Sequence, residues 1–193
     1  MERPMCNAYA MKIPPSALVQ AFHQFRISLV FPEGTPNAEP TDMVRPTDPA
    51  PVIRAGADGT ATLTMARWGL PPSAPKRPLL INMRTEGRRF DQGRALIPAS
   101  WFHEYTGTRY PKTKWTLQPI DQDFVLFAGL VRPTPVGERF TLLTVDAGSD
   151  VQPIHARQPA IVSPTDWGAW LTQGIRLAPS AAGTLKVFQT PSS

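Results

Sequence analysis

Two stretches of the chain carry apolar residues at helical spacing, and both are short. Residues 16–25 predict one amphipathic helix that begins at Ser16 as N-cap. Its apolar side is formed by Leu18, Val19, Phe22 and Phe25. Residues 163–171 begin with Ser-Pro-Thr-Asp, a typical helix start, and predict a second helix. Helices are therefore expected to form only a small part of the structure.

The other apolar residues form runs of the length of β-strands. Residues 51–53 and 60–68 flank a glycine-containing turn at 55–59 and predict a hairpin. Further runs lie at residues 79–81, 94–97, 115–117, 124–130 and 140–145. The prolines of residues 32–51 predict an irregular segment. Many short strands and few helices predict an α+β domain built on a mixed, barrel-like β-sheet.

Composition narrows the class of protein. A chain of 193 residues with 41% hydrophobic residues is long enough to form one domain with a sizeable core. No apolar run is long enough to span a bilayer, and residues 1–12 lack the apolar core of a signal peptide. A single cysteine excludes an intramolecular disulfide, so we expect a reducing compartment, the cytoplasm. The net charge of +5 is compatible with a polyanionic partner.

Cys6 is the only cysteine, and it follows Met5 close to the start of the chain. A lone cysteine is most often a small buried hydrophobe. As the first residue of a processed chain, however, Cys6 would carry an α-amine and a thiol on adjacent carbons. The amine titrates near pH ~8 and the thiol about half a unit higher, so both are partly nucleophilic at neutral pH. Such a pair condenses with an aldehyde to an imine and then to a thiazolidine ring.

Three further polar residues are candidates for chemistry, although each has an ordinary structural explanation. Asn82 suits a turn, Glu104 an outward position on a surface strand, and His155 a loop. One cysteine and three separated histidines do not form a metal-binding pattern. The chain has no glycine-rich phosphate loop and no nucleophile elbow. We therefore expect neither a metal nor another cofactor.

Six segments, taken in order, change this picture. They are Met5-Cys6, Met-Val-Arg-Pro-Thr at 43–47, Arg-Trp-Gly-Leu-Pro-Pro at 67–72, Ile-Asn-Met-Arg-Thr-Glu at 81–86, Arg-Ala-Leu-Ile-Pro-Ala at 94–99 continuing to Glu104-Tyr105, and His-Ala-Arg-Gln-Pro at 155–159. Together they resemble the SOS-response-associated peptidase (SRAP) family of abasic-site processing proteins. The resemblance runs from Met5 to about Pro164. It implies a mixed sheet that forms a barrel-like core with a DNA channel.

The resemblance also implies a reaction. Members of this family bind single-stranded DNA at an abasic site, whose ring-opened sugar is an aldehyde. Cys6 would form a thiazolidine DNA–protein crosslink with it, and Asn82 would orient the Cys6 amine. Glu104 would act as general acid and base, and His155 would shuttle a proton during ring opening and crosslink reversal.

The same resemblance implies a DNA-binding set. Arg84 and Arg157 would hold flanking phosphates through forked contacts. Arg88 and Arg89 would line a backbone groove, and Trp68 would provide a stacking or wedging platform. The alternatives are a solvated charged face for the arginines and a core position for the tryptophan. We expect a monomer whose partner is abasic single-stranded DNA, near the nucleoid and without membrane association.

The five residues before Cys6 need an explanation, because an amide nitrogen cannot form an imine. Either translation starts at Met5 and an aminopeptidase removes that methionine, or the protein clips off residues 1–5 itself. In the second route Cys6 would be the nucleophile and Glu104 the base. We therefore predict a leader or mis-assigned start at residues 1–5 and a single domain at residues 6–193.

The chain departs from the family pattern beside the nucleophile. Asn7-Ala8 stands in place of Gly-Arg, Met43 in place of an asparagine, and Ser100-Trp101 in place of Asp-Gly. Two other classes of function remain open at this point. One is a cysteine peptidase or hydrolase that acts on external substrates and needs no free amine. The other is a non-catalytic single-stranded DNA-binding protein, in which Cys6→Ala would leave binding intact.

Overall fold

The computed structural model describes residues 8–72, 74 and 76–191, so Cys6 and the predicted leader lie outside the described residues. The strands in the described part are β1 (Tyr9–Met11), β2 (Leu29–Val30), β3 (Thr41–Val44), β4 (Pro49–Ala55), β5 (Ala61–Trp68), β6 (Asn82–Arg84), β7 (Arg94–Ala99), β8 (Trp101–Thr106), β9 (Thr113–Pro119), β10 (Val125–Thr134), β11 (Gly137–Asp146), β12 (Arg157–Pro159) and β13 (Leu185–Thr190). The α-helices are α1 (Pro15–Gln24) and α2 (Trp167–Thr172).

Five strands close into a β-barrel. Strands β5, β4, β7, β10 and β11 are hydrogen-bonded in that order, and β11 returns to β5 in parallel. All other neighbours around the ring are antiparallel, so the sheet is mixed. The first seven residues of β10 are all buried, as expected for a strand with neighbours on both edges and side chains packed on both faces. The predicted α+β class with a mixed, barrel-like sheet is therefore confirmed.

A second sheet contains β1, the first described strand of the chain. Its strand order is β13-β9-β8-β1-β3, and β8 follows β7 of the barrel after the single residue Ser100. The amide of Ser100 donates to the carbonyl oxygen of Ala10, and the amide of His103 donates to that of Ala8. The first described residues thus lie along β8. Apolar side chains of both sheets join one core.

Both predicted helices are present, with one correction at the first. Ser16 lies inside α1, and the N-cap is Pro14, whose side chain makes no capping hydrogen bond. A proline in the first turn supplies the helical φ and lacks an amide that would need a partner. Phe25 follows the helix as its C-cap and packs its ring against that of Trp167 in α2.

The predicted hairpin is confirmed as β4 and β5, which a short 3-10 turn at Ala57–Gly59 connects. The prediction that residues 32–51 are irregular was wrong in part, because β3 and the first residues of β4 lie there. Within the described residues, strand β3 pairs with β1 alone, a partner about thirty residues away that local patterns do not reveal. None of the helices within residues 8–72, 74 and 76–191 has the length and apolar character of a membrane span.

Candidate functional site

Strand β11 brings two of the predicted motifs together. Strand β6 lies along one edge of β11, with Arg84 opposite Thr144. Strand β12 lies along the other edge, with Pro159 opposite the same Thr144. Asn82 begins β6 and is half-buried, whereas Arg84 is exposed. The motifs at 81–86 and 155–159, far apart in sequence, therefore flank one strand.

The side chain of Arg157 crosses β11 and connects these motifs. Its guanidinium forms a forked ion pair with the two carboxylate oxygens of Glu86. It also donates to Oδ1 of Asp146 and to the carbonyl oxygen of Thr144, each at 2.7 Å. The Arg157 side chain is only 8% exposed, which favours a structural role, and its predicted contact with DNA phosphates stays a prediction. Both Nη groups donate to atoms of the protein, whereas Nε is buried without a partner among the described residues.

The surroundings of Arg157 and Glu86 favour the charged form of both side chains. The hydrogen bond from Arg157 is the largest of the effects that lower the pKa of Glu86. Burial opposes the charged form of Arg157, but its hydrogen bonds to Glu86 and Asp146 outweigh burial and raise its pKa. Both partners favour ionisation in the folded chain. The pair is therefore an ionic anchor at neutral pH and not a proton donor or acceptor.

His155 is held by the backbone of the same arginine. Its Nδ1 lies 3.0 Å from the amide nitrogen of Arg157 and 3.1 Å from the carbonyl oxygen of Arg157. The amide of His155 donates to the carbonyl oxygen of Val151, which closes the turn before β12. The ring is half-buried. Its position is thus set by local backbone at two points.

Glu104 is in the interior of the protein. It lies on β8 opposite Trp115 of β9 and is 2% exposed, which excludes an outward position on a surface strand. A carboxylate at this depth requires polar partners, and Glu104 has interactions with its surroundings. The neighbouring His103 donates its amide to the carbonyl oxygen of Ala8 at 3.0 Å. The segment that follows Cys6 therefore pairs with β8 directly beside Glu104.

Trp68 is a core residue, which corrects its prediction as a stacking platform for DNA. It is fully buried, and its indole N–H donates to the carbonyl oxygen of Ile81 at 2.9 Å. Its ring centroid lies 5.3 Å from that of Tyr9 on β1 and 6.2 Å from that of Phe140 on β11. Trp68 thus joins the start of the chain to the residue that precedes Asn82. These core contacts of Trp68 fix the position of Ile81 relative to β1.

Arg88 and Arg89 line an open cavity of about 840 Å³ beside these motifs. Both are exposed, and the structure pairs neither with a carboxylate in its described ranges. The walls also include Glu86, Phe90, Trp170 and Arg176. Arg94 ties the walls together by donating to the carbonyl oxygens of Phe90, Leu171 and Thr172. The two predicted DNA-binding arginines therefore stand at the rim of a well-anchored depression.

Comparison with known proteins identifies the family. The model of the SOS response associated peptidase (SRAP) family matches residues 5–192. The chain belongs to the SRAP family. Membership associates this SRAP protein with the response to DNA damage and with a peptidase-like activity. The match begins at Met5, so it includes Cys6 and excludes most of the predicted leader. Comparison with the curated proteins found no match.

Solved structures share the SRAP fold at low sequence identity. A protein from Bordetella bronchiseptica is 18% identical with a TM-score of 0.70, over 97% of this chain and 100% of that chain. One from Bacteroides thetaiotaomicron is 15% identical with a TM-score of 0.73, over 96% and 92%. A phage-related protein from B. bronchiseptica is 19% identical with a TM-score of 0.68, over 97% and 95%. These likenesses show that the fold extends over essentially the whole chain.

Sequence reasoning gave no role to two acidic residues of this SRAP site. Glu86 was visible as the last residue of the motif at 81–86, and Asp146 as the polar residue that ends an apolar strand. Neither signal indicates that Arg157 is the shared partner. No cluster of three or more potential metal-ligating side chains occurs in the described part of the chain.

Asp150 is a third acidic residue that the sequence did not single out. Its carboxylate accepts backbone N–H groups from Gly183, Thr184 and Leu185 at 2.9–3.0 Å. Burial acts against ionisation, but these three hydrogen bonds together lower the pKa of Asp150. The turn that leads to His155 is thereby fastened to the start of β13.

Proposed function

We propose that this SRAP-family protein binds single-stranded DNA at an abasic site and forms a thiazolidine crosslink through Cys6. The observation that carries the proposal is the pairing of Ala8 with His103, which lays the segment after Cys6 beside the buried Glu104. Two peptide units separate Cys6 from Ala8, a reach of about 7 Å. The proposal requires Cys6 to lie within that distance of Ala8 on the side where Glu104 can act as general acid and base.

The chemistry needs no cofactor. The α-amine of Cys6 attacks the aldehyde carbon, and a C–N bond forms. Protonated Glu104 donates a proton to the departing hydroxyl, which leaves as water and gives an imine. The thiolate then adds to the imine carbon, the C–S bond closes the ring, and the nitrogen takes up a proton. The net reaction converts an aldehyde and an aminothiol into a thiazolidine and one water.

Asn82 and His155 serve this reaction from the edges of β11. Asn82 orients the Cys6 amine, supported by its place immediately after the carbonyl that Trp68 holds. His155 moves a proton during opening of the sugar ring and during reversal of the crosslink. A histidine suits that step because its imidazole ring can both donate and accept a proton.

Single-stranded DNA is held by exposed arginines. Arg84, Arg88 and Arg89 are exposed on β6 and the loop that follows it, next to the site. Guanidinium groups bind phosphate oxygens with forked geometry. The chain's surplus of 20 basic over 15 acidic residues favours association with a polyanion. The backbone of the strand would therefore run across β6 toward the cavity.

The peptidase-like activity of the family is explained by release of the leader. The Cys6 thiol attacks the carbonyl carbon of Met5, and Glu104 accepts the thiol proton and passes it to the Cys6 nitrogen, which leaves as an amine while a thioester forms. A water then hydrolyses the thioester, which releases residues 1–5 as a carboxylic acid and restores the thiol. The product is a chain that starts at Cys6 with the free amine that the crosslink requires. Self-clipping and crosslinking then use the same two residues.

Incubation with abasic single-stranded DNA tests this function. We expect a heat-stable adduct in denaturing gels, with an intact mass equal to protein plus DNA minus one water, on a chain that starts at Cys6. Cys6→Ser in a chain that starts at Met5, from which an aminopeptidase removes the methionine, retains the free amine and is expected to give an adduct only after borohydride reduction. A robust adduct on chains that start at Met1, or turnover of peptide esters without an adduct, would overturn the proposal. Binding that Cys6→Ala leaves intact, with no adduct from the wild type, would indicate a non-catalytic binder.

A further inference from the structure

The interactions of Arg157 differ from those of the exposed arginines around it. Its side chain is bound by Glu86, Asp146 and Thr144, and its backbone contacts His155. We propose that Arg157 is a positioning residue that holds His155, with Glu86 and Asp146 as its anchors. For the step that His155 performs, the inference rests on the proposed function. It assigns Arg157 no contact with DNA.

The backbone of Arg157 provides a partner for either tautomer of the histidine. When Nε2 carries the proton, Nδ1 accepts a hydrogen bond from the Arg157 amide at 3.0 Å. When Nδ1 carries the proton, it donates to the Arg157 carbonyl oxygen at 3.1 Å. The ring can exchange between these two forms with little movement. Nε2 is then an acid in one form and a base in the other, as a proton shuttle requires.

The side chain of Arg157 fixes the backbone that makes these contacts. Strand β12 has only three residues, and it pairs with the last residues of β11. A short edge strand of this kind gains little stability from its ladder alone. The ion pair with Glu86, on the far side of β11, ties it to the loop after β6. Charge-assisted forked bonds are among the strongest and most directional in proteins.

Burial distinguishes positioning from phosphate binding. The Arg157 side chain is 8% exposed, whereas Arg84, Arg88 and Arg89 are exposed and accessible to a polyanion. A phosphate could reach the Arg157 guanidinium only by displacing Glu86 or Asp146. A residue that acts through His155 should therefore affect the histidine-dependent step and leave DNA affinity unchanged.

Release of DNA from the preformed adduct tests the inference. We expect Arg157→Met and Glu86→Gln to slow release by roughly 10–100-fold, because a catalytic group misplaced by about 1 Å reduces the rate on this scale. Arg157→Lys should recover part of the rate. Arg157→Met should cause no further decrease when combined with His155→Ala, because residues that act as a unit are not additive. DNA affinity at low salt should stay unchanged in all variants.

Glu138→Gln is the matched control. Glu138 forms a 2.6 Å ion pair with Arg54 at the start of β11, eight residues from Asp146, or about 27 Å along the strand. It should release DNA at the wild-type rate. Glu86 is half exposed, so Glu86→Gln should fold even where Arg157→Met does not. Wild-type release by Glu86→Gln, or weaker DNA affinity in Arg157→Met with a smaller salt slope, would overturn the inference.

A second readout does not depend on the proposed reaction. Imidazole ¹⁵N shifts report the tautomer of each of the three histidines, and His155→Ala assigns the signals. We expect Glu86→Gln and Arg157→Met to change the tautomer signature of His155, and Glu138→Gln to leave it unchanged. If the signature changes in this way but the wild type forms no adduct, the proposed function alone is wrong. An unaltered signature alongside normal adduct formation would overturn the positioning role alone.

Discussion

The indole N–H of Trp68 donates a hydrogen bond to the carbonyl oxygen of Ile81, one residue before Asn82. The same indole packs against Tyr9 on the first strand of the chain. A fully buried tryptophan therefore connects the segment that follows Cys6 with the strand that carries Asn82. The position of β1 relative to Asn82 thus depends on a core contact rather than on a surface one.

Trp68→Phe tests this role. Removal of the indole hydrogen bond and of part of the ring should reduce the free energy of unfolding by about 1–3 kcal/mol. Crosslinking should slow because Asn82 is less firmly placed, whereas DNA affinity at low salt should be retained. Denaturant titration and filter binding measure the two effects, with Trp101→Phe at a half-buried position as control. A large decrease in affinity at unchanged stability would restore the stacking role.

Glu104→Gln should slow adduct formation by roughly 10²–10⁴-fold, because the amide retains the shape of the side chain but cannot transfer a proton. Release of the leader should slow in parallel. A time course on abasic single-stranded DNA measures the first effect and intact mass the second. Glu138→Gln serves as the charge-matched control on the barrel. Equal time courses for Glu104→Gln and wild type would make the buried carboxylate purely structural.

Removal of Arg88 and Arg89 should weaken DNA binding in proportion to the number of phosphates they neutralise. For a single strand, each phosphate that is no longer neutralised should reduce the log–log salt slope by about 0.7. Arg88→Gln with Arg89→Gln should therefore reduce the slope by about 1.4 if each arginine binds one phosphate. Arg54→Gln, which removes a charge paired with Glu138, should leave the slope unchanged. An affinity that does not vary with salt would contradict DNA binding itself.

His103 makes stability depend on pH. Burial and then the charge of Lys114 lower the pKa of His103 from 6.5 to about 4 in the folded chain. Between these values the unfolded chain binds more protons, so stability decreases as pH falls from about 6.5 toward 4, and the effect is absent above 6.5. We expect a decrease on the order of 2 kcal/mol across this window.

His103→Gln isolates this contribution. The variant should lack that part of the pH dependence, whereas His23→Gln, at an exposed position in the last turn of α1, should retain it. Urea unfolding at a series of pH values gives the comparison. Parallel stability curves for His103→Gln and wild type between pH 6.5 and 4 would show that His103 is not the responsible group.

The candidate site illustrates which features local sequence can reveal. Asn82, Glu104 and His155 were found because each lies in a short motif, and a motif is contiguous along the chain. Their burial was not predictable in the same way. Glu104 was compatible with an outward strand position, because local sequence does not tell which face of β8 packs against other parts of the protein, and in the fold Glu104 is 2% exposed. Contacts across a sheet depend on which strands pair.

By itself, the sequence determined the short strands, the two brief helices and the family motifs, because alternation, turn residues and motif spacing are local properties. Only the tertiary structure decided that Trp68 is a core residue and that Arg157 binds Glu86, which lies 71 residues earlier. That ion pair exists because β6 and β12 take opposite edges of β11. No local pattern encodes this choice, since strand pairing is selected by the closure of the whole barrel and the burial of one shared core.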